Sequence, residues 1–352
     1  MRTNHITLLK TLCLMGVLFM HAAFPFTAPG RFWRLYAEQQ SLVAESLIFW
    51  AGLVIIPSFM FASGYLAALS GLRHSRSVTG QIGNRAKRLL VPWFCLMVFW
   101  MVPLYTFFDL PAYNRPEGFT LSQTYMAALS GQFADHLWFL LVLFWVSSFW
   151  AVIQPTAKRF GPLAAPALAL AASLLIYRYG QGLTWCCFYE TDGPLLWFAA
   201  GCLFFNCRQR AERAMALRPR LWFAANIALF AALSLYGPQT PVFRWATSTL
   251  GALAAFQICA HLARRHEKLR QLRPYRYFED NAFRFYLFHM PGGLLTFKML
   301  DWGGLASPLP FIGLSFLANF CLTAGIVEVV NKLEKGLFRA SGPPRAGQTA
   351  LT

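Results

Sequence analysis

Apolar stretches about as long as the hydrocarbon core of a bilayer recur along the whole chain, separated by short polar segments. A helix needs about 20 apolar residues to cross a bilayer, and only helices or closed barrels satisfy their backbone hydrogen bonds in lipid. Hydrophobic residues make up 57% of the 352 residues, and the charged share of 13% is low. A soluble domain has roughly twice that charged share. The sequence therefore predicts an all-α membrane protein.

Ten such stretches can be placed on the chain, so we expect one polytopic helix bundle of about ten membrane helices. The first 23 residues also resemble a signal peptide, but Lys10 and His21 interrupt the apolar run, and we interpret it as a retained span. We expect a membrane domain over residues 1–335 and a disordered cytoplasmic tail over residues 336–352. The predicted spans cover approximately residues 6–26, 42–69, 89–108, 137–154, 163–177, 194–206, 221–236, 245–262, 282–300 and 308–330.

The net charge of +17, from 31 Lys and Arg against 14 Asp and Glu, is concentrated in every second connection between the predicted spans. Basic residues follow the second, fourth, sixth and eighth spans, whereas the other connections are neutral to acidic. The first loop, with Arg31 and Arg34, is an exception. Short cytoplasmic loops retain Lys and Arg during insertion. The alternation predicts that both termini are cytoplasmic, and it removes the main support for a nucleic-acid partner.

Two ionisable residues interrupt the first apolar run, and such residues are functional candidates because their burial in a membrane costs a few kcal/mol. Lys10 and His21 are 11 residues apart, which places them on one helix face about 16 Å apart along the axis. Lys10 could bind a phosphate or carboxylate of a soluble donor, and His21 could accept a proton from a hydroxyl or carry an acyl group. The structural alternative is a snorkelling lysine and a hydrogen-bonded core histidine.

Other polar residues lie in or beside further predicted spans. His136, at the start of span four, and His289, inside span nine, are candidate site residues or, alternatively, interfacial and helix-packing side chains. Arg85 and Arg88 lie where span three is expected to enter from the cytoplasm. Paired guanidinium groups could clamp phosphate there, although positive charge on the cytoplasmic side would also explain them.

The segment from Ser63 through Gly64 to Tyr65 lies at the end of span two on the same side, where the glycine would allow close approach of a helix or a ligand. The chain has no Gly-rich phosphate loop, no H-E-x-x-H and no G-x-S-x-G motif. Its eight cysteines include no C-x-x-C pair. We therefore expect no metal site, no permanently bound cofactor and no hydrolase-type serine chemistry.

Five segments in order resemble the acyltransferase-3 family of integral membrane acyltransferases. Lys10 and His21 match the family's basic residue, ten-residue spacer and histidine in the first span. Four later segments are similar to the family's F-F-x-x-S-G-Y-L, R-x-x-R, H-L-W-F-L and Y-L-x-H-x-P motifs, namely FMFASGYL (59–66), RAKRLLVP (85–92), HLWFL (136–140) and YLFHMP (286–291). The resemblance covers nearly the whole chain.

This resemblance implies acyl-CoA as a cytoplasmic donor and a glycan acceptor on the far side of a bacterial inner membrane. It implies that His21 is a general base or an acyl carrier, and that Lys10 fixes the donor side. Donor phosphates would bind Arg85 and Arg88, near the segment of Ser63, Gly64 and Tyr65. The acceptor-side residues would be His136, Trp138, Glu190 and Asp192, while Tyr286 and His289 are further candidate site residues whose role is open.

The sequence is compatible with several alternatives. The stretch HLWFLLVL (136–143) looks like the family branch that succinylates periplasmic glucans, but acetyl and succinyl donors share the coenzyme A handle. Two positions depart from the family pattern, with Thr7 in place of Asp and with Phe283 and Arg284 in place of Ser. The best alternative from another class is a transporter or flippase of a glycan precursor, and a third is a scaffold of an envelope complex. The oligomeric state is open.

Overall fold

The structure, a computed structural model, describes residues 4–27, 40–71, 77–107, 120–132, 135–157, 159–161, 163–209, 219–237, 240–305 and 307–340. Within these ranges every regular element is a helix, which confirms the all-α prediction. We number the main helices α1 (Asn4–Ala23), α2 (Leu42–Gly71), α3 (Val78–Phe107), α4 (Leu121–Leu129), α5 (Trp138–Ala157), α6 (Ala164–Tyr179), α7 (Asp192–Asn206), α8 (Pro219–Tyr236), α9 (Pro241–Leu269), α10 (Arg273–Asp280), α11 (Ala282–Trp302) and α12 (Pro308–Ala340). Short 3₁₀ turns include Phe24–Phe26, Asp135–Leu137 and Trp185–Thr191.

Each of the ten predicted spans falls on one of these helices, but the helices differ in their fitness to cross a membrane. Within the described ranges, six are long and apolar enough, namely α1, α2, α3, α5, α9 and α12. Helices α6 and α7 have only 16 and 15 residues, and α8 is a shorter apolar helix. Helix α11 has 21 residues but carries Arg284, Lys298 and Asp301. A bundle that crosses the membrane ten times stays a prediction.

The ends of the chain bear on two other predictions. Helix α12 continues to Ala340, so the predicted domain boundary at residue 335 falls inside a helix. Residues 341–352 lie outside the described residues, as do many of the charged loop residues behind the topology prediction, including Arg31, Arg73, Arg76 and Arg115. The cytoplasmic position of both termini therefore stays a prediction.

Helix α1 lies at the centre of the bundle and contacts α2, α9, α11 and α12. It is more buried than the five other candidate spans, and its apolar residues, such as Leu9 and Leu18, are almost fully enclosed. A helix that is apolar on every side is stable only when neighbours or lipid surround it completely. Its polar residues Lys10 and His21 are therefore held in fixed surroundings rather than on a free surface.

Helix α3 begins 11 residues before the predicted start of span three. The Ser77 side chain accepts a hydrogen bond from the Gly80 N–H, and this N-cap starts the helix in a polar segment that hydropathy does not detect. Arg85 and Arg88 thus lie inside this helix, which begins before the predicted span, and their position at the membrane entrance stays a prediction.

Two π-helical segments widen α3, at Ala86–Leu90 and Met97–Met101. Each lies just before a proline, Pro92 or Pro103, whose missing N–H cannot bond to the carbonyl four residues earlier. The Val91 N–H instead reaches back five residues to the Ala86 carbonyl. Such π turns change which face a side chain occupies and often lie at functional sites. The first of them contains Arg88.

Helices α2 and α7 pack backbone against backbone. A Cβ atom at Gly64 would overlap the Phe198 carbonyl, and one at Gly201 would overlap the Phe61 carbonyl. Small residues allow membrane helices to approach this closely. The contact fixes α7 beside the cytoplasmic half that we predict for α2, and it places Cys202 next to the Gly64 carbonyl.

Candidate functional site

Three histidines from distant parts of the chain meet at the C-terminal end of α1. His21 Nδ1 lies 2.8 Å from His289 Nε2, and the ring centroids of His136 and His289 are 4.8 Å apart. His289 and His136 are buried, whereas His21 is half-buried. We call these three residues the histidine cluster. The sequence indicated each histidine separately, and the structure brings them together.

Helix α11 fixes the ring of His289 from its own backbone. The His289 Nδ1 atom lies 2.8 Å from the Tyr286 carbonyl oxygen, one turn earlier. A carbonyl oxygen can only accept a hydrogen bond, so Nδ1 carries the proton and donates. The second ring nitrogen, Nε2, is thereby directed at His21.

Helix α11 also holds His136. Pro291 has no N–H, so the Leu287 carbonyl four residues earlier lacks its helical donor. His136 Nε2 lies 3.2 Å from that carbonyl and donates to it. In return the Tyr286 hydroxyl donates to the His136 carbonyl at 2.5 Å. The turn before α5 and the proline-containing part of α11 are thus joined in both directions.

A second group of charged residues lies nearer the N-terminal end of α1. Lys10 is within electrostatic range of both Arg85 and Arg88 of α3. Lys10 and Arg85 are half-buried, and Arg88 is exposed. In the described part of the chain none of the three forms an ion pair with a carboxylate. We call them the cation cluster, and their uncompensated charge suits a polyanionic ligand.

A comparison with known families decides the class of the protein. A family model described as an acyltransferase domain, Acyl_transf_3, matches residues 4–328. The chain belongs to this acyltransferase family. Neither the curated proteins nor the solved structures yield a significant match. The matched range contains both clusters, and together with the apolar helices it identifies a membrane acyltransferase.

The segment of Ser63, Gly64 and Tyr65, predicted to bind the donor, lies against α7 in the acyltransferase. Gly64 faces α7 backbone to backbone, so its small size serves helix packing, and its role toward the donor stays a prediction. The Tyr65 ring is buried between the rings of His5 and Phe205. Ser63 is half-buried. The sequence left open whether the neighbour of Gly64 is a helix or a ligand, and in the structure that neighbour is helix α7.

Arg85 nevertheless connects this segment to the cation cluster. It lies within electrostatic range of Cys202 on α7, whose thiol donates to the Gly64 carbonyl at 3.1 Å. Arg85 is therefore within electrostatic range of the α2–α7 contact that contains Gly64.

The predicted acceptor-side residues divide into two groups in the acyltransferase. Trp138, the first residue of α5, is half-buried two residues after His136. Glu190 and Asp192 lie in the 3₁₀ turn before α7 and at its start, and in the described structure no hydrogen bond or ion pair joins either carboxylate to the histidine cluster. Of these four residues, His136 lies beside His289, and Trp138 follows it at the start of α5.

Burial changes the acidity of both carboxylates. It raises the pKa of Glu190, and the nearby charge of Asp192 adds to this while a hydrogen bond from Tyr189 opposes it. Burial also raises the pKa of Asp192, partly offset by the Gly193 N–H, which donates to Asp192 Oδ1 at 2.6 Å, and by the charge of Arg244. These carboxylates are held in partly dry surroundings that favour their protonated forms.

Proposed function

We propose that this membrane acyltransferase transfers an acyl group from acyl-CoA to a hydroxyl group of a glycan on the opposite face of the membrane. The observation that carries the proposal is the arrangement along α1. The cation cluster, which contains Lys10, lies near one end of the helix, and the histidine cluster, which contains His21, lies at the other end. A donor with a phosphate-bearing head and a reactive thioester at the end of a long arm matches this arrangement.

The donor would bind with its nucleotide phosphates at Arg85 and Arg88 and with Lys10 beside them. Guanidinium groups bind phosphate oxygens in pairs, and the absence of a carboxylate partner in the described residues leaves these groups available. Lys10 and His21 are separated by about 16 Å along α1. The flexible pantetheine arm is suited to cover such a distance inside a helix bundle.

His21 would act as the general base of the transfer. Its imidazole takes the proton from the acceptor hydroxyl while that oxygen attacks the thioester carbonyl carbon. The carbon–sulfur bond then breaks, and the proton passes to the sulfur, so that an ester and free coenzyme A are the products. A covalent acyl-histidine intermediate is the alternative role for the same residue. Neither route needs a bound metal or permanent cofactor.

The acceptor would approach from the His21 end, where His136 and Trp138 lie. Aromatic faces and polar ring atoms suit the apolar faces and hydroxyl groups of sugars. Glu190 and Asp192 would contact more distant parts of a long glycan. Acetyl and succinyl groups both fit the scheme, and a bacterial inner membrane, with acyl-CoA inside and glycans outside, is the setting that we propose.

The test compares periplasmic and surface glycans of the native host by mass spectrometry after deletion and complementation. Wild type and the control His261→Ala, an exposed residue of α9, should restore an added acetyl or succinyl mass. His21→Ala at equal membrane levels should not restore it. Restoration by His21→Ala would refute the role of His21, and identical glycans in all strains would refute the acyl transfer.

A second assay separates the enzyme from a transporter. Purified wild-type protein in detergent should release free coenzyme A from acyl-CoA when host glycan is added. A transporter needs a sealed compartment, so release without any gradient supports the enzyme. No release of coenzyme A in detergent, together with movement of a glycan precursor across sealed vesicles, would favour the transporter.

A further inference from the structure

The hydrogen bonds of His289 determine where the protons of the histidine cluster are. A neutral imidazole has one N–H donor and one acceptor nitrogen. His289 Nδ1 donates to the Tyr286 carbonyl at 2.8 Å, so His289 Nε2 is the acceptor. A flipped ring would turn carbon atoms toward both partners and lose both bonds, so the observed orientation is the one that satisfies the site.

The protonation of His21 follows from this. His21 Nδ1 lies 2.8 Å from the acceptor nitrogen of His289, so His21 Nδ1 must be the donor. Since neutral His21 has only one proton, its other nitrogen, Nε2, holds the lone pair. The hydrogen bond at one ring nitrogen of a histidine sets which nitrogen is reactive. In this site that bond selects Nε2.

We propose that His289 is a positioning residue that holds His21 in the tautomer protonated at Nδ1, so that Nε2 is the nitrogen that accepts the proton of the acceptor hydroxyl. This inference rests on the proposed function and deepens it. In many enzymes a carboxylate accepts a hydrogen bond from the catalytic histidine and fixes its tautomer. Here the uncharged Nε2 atom of His289 accepts that hydrogen bond from His21. When Nε2 takes up the proton, the Nδ1–H bond to His289 persists and stabilises the imidazolium.

The bonds around Pro291 keep His289 in place. Because Pro291 frees the Leu287 carbonyl, His136 can donate to it, and the Tyr286 hydroxyl ties the His136 backbone to the same turn. Tyr286 also supplies the carbonyl that orients His289. The tautomer of His21 thus depends on a backbone arrangement specific to the proline-containing turn of α11.

The test uses two variants of His289 of similar size. The side-chain oxygen of His289→Gln can accept from His21 Nδ1 as His289 Nε2 does, whereas His289→Leu cannot accept at all. Loss of the outer partner that orients a metal-bound histidine costs about 10- to 100-fold, and we apply the same scale to His21. We expect His289→Leu to lower kcat by about that factor with an unchanged KM for acyl-CoA, and His289→Gln to retain most of the activity.

Nitrogen-15 NMR of protein labelled on histidine provides a readout that is independent of activity. The His21 signals, identified by their absence in His21→Asn, should show a protonated Nδ1 and an unprotonated Nε2 in wild type and in His289→Gln. In His289→Leu the Nδ1-protonated form should lose its dominance. Equal kcat values for the two His289 variants, or an Nε2-protonated His21 in wild type, would overturn the proposal.

The result is distinguishable from a failure of the proposed function. If His21→Ala keeps full transfer activity, His21 is not the base, whatever the tautomer. If His21→Ala is inactive while His289→Leu has wild-type kcat and an unchanged His21 spectrum, the catalytic role of His21 stands and the role of His289 is refuted.

Discussion

The cation cluster and the histidine cluster lie on the same helix and are built in opposite ways. Lys10, Arg85 and Arg88 repel one another, and no carboxylate in the described structure compensates them. The histidines instead are joined to each other and to backbone carbonyls at distances of 2.8 to 3.2 Å. One end of α1 carries uncompensated positive charge, and the other end is a network of hydrogen bonds.

The contrast between the two clusters explains how one helix can serve two tasks. Like charges that are partly buried without a partner destabilise the protein, so such a cluster is expected where an anionic ligand supplies the missing charge. Proton transfer needs no net charge but needs atoms held within hydrogen-bond distance. Long, flexible cationic side chains suit the first task, and rings locked to the backbone suit the second.

The largest effect is expected from removal of the two arginines. Each charge-assisted hydrogen bond contributes about 1.5 to 3 kcal/mol, so Arg85→Ala with Arg88→Ala should raise the KM for acyl-CoA by about 100-fold or more and change kcat little. Steady-state kinetics in detergent would measure this. Arg220→Ala, at an exposed arginine near the start of α8, is the matched control.

A truncated donor sharpens this test. An acyl-pantetheine without the nucleotide phosphates should react equally with wild type and with the double arginine variant, because nothing is left for the arginines to bind. A KM difference of the same size for both donors would show that the arginines act on the fold and would remove the functional contrast between the clusters.

The next effect concerns Gly64, at the donor end. A Cβ there would overlap the Phe198 carbonyl, so Gly64→Ala must separate α2 from α7 and should destabilise the protein by about 1 to 3 kcal/mol. Thermal unfolding in detergent would show a lower Tm. Gly313→Ala on α12, where a Cβ meets nothing within 4 Å, is the control. A raised KM for acyl-CoA with an unchanged Tm would restore Gly64 as a donor-binding residue.

A smaller effect is expected at the histidine end from Pro291→Ala. The new N–H can bond to the Leu287 carbonyl and so competes with His136 for that acceptor. We expect kcat to fall by roughly tenfold while the KM for acyl-CoA stays constant, since outer partners of a site contribute on that scale. Wild-type kcat in this variant would mean that the hydrogen bonds that hold the histidine cluster in place have no catalytic value.

The sequence predicted the helices and the Lys10–His21 relation because both depend on local rules. Apolar length identifies membrane helices, and a continuous helix from Asn4 to Ala23 converts an 11-residue spacing directly into a shared face. The start of α3 was missed because a serine cap, not hydropathy, determines it. The segment Tyr-Leu-Phe-His-Met-Pro did contain a signal for the site. A proline inside a helix leaves the carbonyl four residues earlier without its donor, so a side chain such as His136 can bind there.

The contact between His21 and His289 could not be predicted in this way. The two residues are 268 positions apart, and no local pattern states which helix packs against α1. The same reason applies to Gly64, for which the sequence could not distinguish a helix from a ligand as the neighbour. Periodicity gives the face of a helix, whereas the neighbour of that face depends on how the whole bundle packs.

The smallest effect concerns Glu190, a carboxylate outside both clusters. Its pKa is raised by burial, so the folded chain binds its proton more tightly than the unfolded chain does. Stability from this group is therefore greatest below the unfolded pKa, about 4.3, and is lost as the pH rises through the folded pKa. Glu190→Gln does not incur this loss. We expect its Tm to exceed that of wild type by about 1 to 3 °C at pH 7 and to match it near pH 4.

The control for Glu190 is Asp280→Asn, since Asp280 is exposed and forms an ion pair with Arg270 at 3.3 Å. Its neutralisation removes a favourable contact and should not raise the Tm at either pH. If the Tm of Glu190→Gln does not exceed that of wild type at pH 7, the buried charge of Glu190 does not destabilise the protein. The 3₁₀ turn Trp185–Thr191 would then carry no destabilising charge, and uncompensated charge would be confined to the cation cluster.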